Sequence, residues 1–112
     1  MISTQLFNKA QLIDNLDGDA EFAESLMGDA LIELPLEVVK LQDVCQGDDS
    51  QAIHLHAHTI KGMAANLCAS TLRDICLKIE TAAKDDDLKS ARAFLPELEQ
   101  AMLMTIEAIK IT

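Results

Sequence analysis

Apolar and small residues recur at spacings of three and four along nearly the whole chain, and no stretch alternates apolar and polar residues with the period of two that a strand requires. The pattern divides into five segments. A short helix over about 9–16 opens with Asn8 as its cap, with Gln11 three residues on to complete a capping box and Phe7 and Leu12 at the staple positions. It ends at Asp17-Gly18. The second helix, over about 20–46, is capped by Asp19. Its inward face is Ala23, Met27, Ala30, Leu34, Val38, Leu41 and Cys45. Pro35 interrupts it without disturbing the periodicity, which predicts a kinked helix rather than two, and Gly47 ends it. The third helix, over about 49–67, starts from Asp48 or Asp49 and faces inward with Ile53, Ala57, Ile60, Ala64 and Leu67. The fourth, over about 70–84, does so with Leu72, Ile75, Cys76, Ile79 and Ala83. Lys84-Asp85-Asp86-Asp87 is a polar turn whose acids suit the positive end of the next helix. The fifth helix, over about 87–110, presents Leu88, Ala91, Leu95, Leu98, Met102, Ile106 and Ile109, with Pro96 placed to kink it. Four long amphipathic helices with short connections predict an all-α fold: an antiparallel four-helix bundle with a short additional N-terminal helix.

Composition agrees with this reading. The 112 residues make one domain, and 49% hydrophobic content is enough for a core. With three Phe and neither Tyr nor Trp, that core is aliphatic. Nineteen acids against nine bases give a net charge of −10, which a nucleic-acid backbone or an anionic membrane would repel. Cys45, Cys68 and Cys76 form no CxxC pair and fall in apolar helical patterns, so they are expected as buried small residues in a reducing compartment. Met1-Ile2-Ser3 does not open a signal peptide and no apolar run is long enough to span a bilayer, so a cytoplasmic location is expected. The initiator-like Met1 and the end at Thr112 lean towards a free-standing chain.

Candidate chemistry concentrates in the third helix. At about 100° per residue, the inward residues fall within about 40° of Ile53, whereas His58 lies about 140° away and faces solvent. Lys61 at about 80°, Ala65 at about 120°, Gly62 at about 180° and Leu55 at about 200° surround it, with His54 one turn earlier. Gly62 costs the helix up to about 1 kcal/mol relative to alanine, and beside an exposed histidine it lets a large partner approach. Leu55 adds an exposed apolar contact. A neutral imidazole, with an ordinary pKa of about 6.5, is a nucleophile near neutral pH and can take a phosphoryl group. The Lys61 ammonium one turn on can offset the phosphoryl charge. No Gly-rich nucleotide loop is present, so the donor is expected to be another protein, without ATP-dependent kinase activity in this chain.

These residues carry a family resemblance. His58-Thr59-Ile60-Lys61-Gly62 followed by Ala65-Asn66-Leu67 resembles the signature of the histidine-containing phosphotransfer (HPt) domains of multistep two-component phosphorelays. Ala57, the capping Asp48-Asp49 and the helix order are similar too. The resemblance implies that His58 accepts a phosphoryl group from an aspartyl phosphate on a response-regulator receiver domain and passes it to another receiver aspartate. It implies that Lys61 stabilises the phosphoryl group and that Gly62 leaves room for the receiver, with His54, Leu55 and Ala65 in the docking face. A hybrid sensor histidine kinase is a further expected partner. The chain itself would bind no cofactor, the Mg²⁺ belonging to the receiver, and would be a monomer. The sequence departs from the family pattern at Cys68, where a glycine is common. If the backbone there has positive φ, a cysteine costs on the order of 1 kcal/mol.

Other readings use the same residues. A bundle that docks a receiver or kinase without being phosphorylated would keep the face but not the chemistry. His54 and His58 have the i, i+4 spacing of a helical metal pair, but no third ligand accompanies them, and His56 points away at about −60°. Asn66, at about −140°, is expected to help end the helix rather than to touch phosphate.

Overall fold

In a computed structural model, which describes residues 3–112, the chain forms α1 (Lys9–Asn15), α2 (Ala20–Val44), α3 (Ser50–Asn66), α4 (Ser70–Lys84), α5 (Leu88–Ala93) and α6 (Leu95–Ile111). The reading of Met1 and Ile2 as no signal-peptide start lies outside these residues. No strand occurs among the described residues. α3 packs most extensively on α4; α2 packs on α3 and α6, and α6 closes the ring on α4. α1 lies against α2, and α5 lies against α4. The long axis of 42 Å is close to the length of α2 alone, about 37 Å at 1.5 Å per residue. Among the described residues no helix is long and apolar enough to cross a membrane.

The side chains that start and stop the helices act locally. Asn8, Asp19, Asp49 and Asp87 each accept a hydrogen bond from a first-turn N–H. The capping box expected at Asn8 is only half formed. Gln11 Nε2 reaches Asn15 Oδ1 at 2.8 Å, while the Asn8 N–H donates to the Cys68 carbonyl at 3.1 Å. Three helices end in the same hydrogen-bonded turn with a left-handed residue after the cap. At α3 the Ala69 N–H donates to Ala64 O and the Cys68 N–H to Ala65 O. Asp17 (φ 57°), Cys68 (φ 60°) and Asp86 (φ 58°) hold the left-handed positions. Aspartate tolerates that conformation better than cysteine does.

Every inward residue predicted for α2, α3 and α4 is buried, and the core is aliphatic, with Phe7 its one aromatic ring. α2 runs through Pro35 as one helix. The long final helix predicted over 87–110 is corrected to two, parted at Phe94. Pro96, in the first turn of α6, has no N–H to give an upstream carbonyl, which suits the start of a helix and not its middle. The inward face over α5 and α6 also differs from the predicted one. Leu88, Leu95 and Ile106 are only half-buried, whereas Ala101, Thr105 and Ala108 join Leu98, Met102 and Ile109 in the core. Small side chains at those three positions form a face on which neighbouring helices can sit close. α5 is tied down by Arg92, which donates to the carbonyls of Cys45 (2.7 Å) and Gly47 (2.8 Å) just beyond α2. Cys45 and Cys76 are buried as expected, but Cys68, at the α3–α4 turn, is only half-buried, and all three thiols are free.

Candidate functional site

α3 and α4 together build the site. Burial of Ile53, Ala57, Ile60 and Ala64 against the bundle fixes the rotation of α3 and turns His58 outward, leaving its side chain 60% exposed. His54 stands one turn earlier, its ring parallel to that of His58 within 5° and 6.2 Å away between centroids. Lys61, one turn later, keeps its stem against the protein and is 25% exposed.

These three side chains converge on Glu80 of α4, a residue sequence reasoning missed. His58 Nδ1 is 3.3 Å from Glu80 Oε2. Lys61 Nζ donates to Glu80 at 3.0 Å to Oε1 and 2.8 Å to Oε2. His54 Nε2 is 3.7 Å from Oε1, within ion-pair reach but beyond a hydrogen bond. A signal for Glu80 did exist. The α3–α4 turn is short, so antiparallel residues about equally far from Cys68 face one another; His58 is ten positions before it and Glu80 twelve after. Glu80 also follows Ile79 directly, at the edge of the inward face of α4.

The electrostatics follow from the contacts. Burial works against ionised Glu80, but the hydrogen bond and charge of Lys61, then those of His58, outweigh it and hold the carboxyl below its ordinary range. A carboxylate only accepts, so the His58 tautomer that fits has its proton on Nδ1, donated to Glu80. Nε2 then carries the free lone pair, and it makes no hydrogen bond to the described residues. Cys76 is no competing nucleophile: burial first, and the Glu80 carboxylate second, push its thiol up to about 12 against the pull of Lys61.

The other predicted residues divide. Leu55, Gly62 and Ala65 are exposed around His58. A Cβ built on Gly62 would meet nothing within 4 Å, so no contact inside this chain demands a glycine there. Ala65 also borders a polar groove of about 310 Å³ lined by Asn8, Gln11, Asn15, Cys68 and Arg73. His56 is half-buried and outside the cluster at Glu80. Asn66 faces a cavity of about 160 Å³ between α2 and α3 with Asp29, Glu33 and Met63, and the turn at Cys68 ends the helix instead. Among the described residues no group of three His, Cys, Asp or Glu is placed to hold a metal ion.

The chain has relatives. The family model described as "Hpt domain" matches residues 10–108. The phosphorelay intermediate protein rdeA of Dictyostelium discoideum is 29% identical over 97 residues, covering 87% of this chain and 38% of that protein. The chain thus spans well under half the length of that curated relative. Among solved structures, the HPT domain of a sensor hybrid histidine kinase from Shewanella superposes with a TM-score of 0.83 at 19% identity, covering 96% of this chain and 93% of that one. Histidine-containing phosphotransfer protein B from Pseudomonas aeruginosa gives 0.79 at 22% identity, covering 91% and 86%.

Proposed function

The chain belongs to the Hpt domain family, and on that premise we propose that it is a phosphorelay phosphocarrier with His58 as the acceptor. The observation that supports this role most directly is the pairing of His58 Nδ1 with Glu80, which leaves Nε2 as a free, solvent-facing nucleophile. In this reading Nε2 attacks the phosphorus of an aspartyl phosphate on a receiver domain. The N–P bond forms as the P–O bond to the aspartate breaks, and the released carboxylate keeps that electron pair. The Nδ1 proton stays on the ring. Glu80 balances the positive charge that the imidazole gains, and Lys61, held beside it, offsets charge on the phosphoryl oxygens. Transfer to a second receiver is the same step reversed.

His54, Leu55, Gly62 and Ala65 form the docking face in this proposal. The partners are response-regulator receiver domains, with a hybrid sensor histidine kinase as one source of them. The receiver supplies the Mg²⁺, and the chain acts as a cytoplasmic monomer that neither binds nor hydrolyses ATP.

The test is a transfer assay. A receiver domain charged with acetyl phosphate is mixed with the chain and with His58→Gln. Acid-labile, base-stable phosphate is expected on the wild type alone. Phosphate on the variant would overturn His58 as the acceptor. No transfer to the wild type, with binding retained, would support the unphosphorylated docking module instead.

A further inference from the structure

His54 is placed to do more than line the docking face. Its ring is stacked one turn before His58, and its Nε2 is 3.7 Å from the carboxylate that holds His58 and Lys61. Charged and titratable groups face it from both helices. On α3 they are His58 and Lys61. On α4 they are Glu80 and Lys84, the latter across an open groove lined also by Ser50, Gln51 and Ala83. Lys61 and Glu80 offset one another and the phosphorylated imidazole gains one positive charge, so a phosphoryl group of about −2 still leaves the cluster net negative. Apart from His58 itself, His54 is the one side chain in this group of a type whose charge changes between about pH 5 and about pH 8. Its protonated ring would pair with Glu80 and lie within about a Debye length of the new charge.

We propose that His54 is a proton-dependent electrostatic partner of the phosphoryl group on His58, and that its protonation shifts the relay equilibrium towards the phosphorylated chain. The inference rests on His58 being the acceptor. It assigns His54 a role that a neutral docking contact would not have. The phosphorylated state draws a proton onto His54, and by linkage a proton on His54 favours the phosphorylated state.

The test compares wild type, His54→Gln and His54→Lys against one phosphorylated receiver domain, freed of acetyl phosphate. The equilibrium ratio of phosphohistidine to aspartyl phosphate is measured between about pH 6 and about pH 8. Because the three chains differ only at residue 54, the pH dependence of the ratio between them reports what that residue contributes. The ratio of the wild-type equilibrium constant to that of His54→Gln should rise by about threefold from the alkaline to the acid end. His54→Lys, charged throughout, should exceed His54→Gln at every pH. Helical circular dichroism checks that the variants, changed at a partly exposed position, are folded. A wild-type to Gln ratio that stays constant with pH, or a Lys variant no better than Gln, overturns the inference while leaving His58 as the acceptor. Absence of phosphohistidine on the wild type overturns both.

Discussion

Glu80 Oε2 lies 3.3 Å from His58 Nδ1, although the two residues are twenty-two positions apart on different helices. The same carboxylate holds Lys61 Nζ at 2.8 Å. One acid therefore orients the His58 ring and holds the Lys61 cation beside it. Glu80→Ala removes both contacts and should slow phosphoryl transfer by at least about tenfold. Glu80→Gln, which can still accept from Nδ1–H, should lose less. Rapid-quench transfer rates from a phosphorylated receiver check the order; an alanine variant as fast as wild type would remove Glu80 from the chemistry.

Stability should carry the same contact as a pH dependence. The folded-state pKa of Glu80 is held below its ordinary value, so the folded protein binds that proton less readily than the unfolded chain does. The contribution is fully present above the unfolded value, about 4.3, and is lost as pH falls through the lower folded value. Thermal melts of wild type and Glu80→Gln should differ at neutral pH and converge upon acidification below about pH 4. A gap that widens on acidification would contradict the sign.

Gly62 separates stability from function. Because an added Cβ meets nothing within 4 Å, Gly62→Gln should stabilise the helix by about 0.5–1 kcal/mol. It should nevertheless slow transfer by about tenfold or more through obstruction of the receiver's approach. Melting temperature and transfer rate measured on one preparation would move in opposite directions. A fall in both would show that Gly62 serves the fold.

Cys68 sits at φ 60° in the turn that joins the two helices of the site. Cys68→Gly relieves the left-handed strain but enlarges the entropy of the unfolded chain and loses the 3.4 Å contact from Asn15 Nδ2 to Sγ. The net gain expected is about 0.5–1 kcal/mol, a rise of up to about 4 °C in Tm. Transfer rate should be unchanged, since the turn geometry is kept. Cys68→Ala, which keeps a Cβ, should not gain stability.

Much of the architecture is legible in the order of residues alone. Three-and-four spacing identifies every buried residue of α2 and α3 and all those of α4 except Ala82, and Asn8, Asp19 and the acids of the two later turns mark helix starts. The exposure of His58 follows from its angle to Ile53. The family pattern also points to the conformation at Cys68. The final segment is less legible. Its repeat of Leu and Ile suggests one helix with those residues inward, but Pro96 starts a new helix and the packed face turns to Ala101, Thr105 and Ala108. Large apolar residues mark a stripe; which edge of it sits deepest depends on the shape of the neighbouring helices.

What the sequence determined by itself is local: where helices form, which side of each is apolar, and that one of them exposes a histidine with a lysine one turn on. Backbone hydrogen bonding and periodicity act over a few residues, so a few residues suffice to read them. Only the tertiary structure decided that Glu80 meets His58, His54 and Lys61, and hence which imidazole nitrogen is left free. That meeting depends on the register of α3 against α4, which the turn at Cys68 and the packing of buried side chains along both helices impose together.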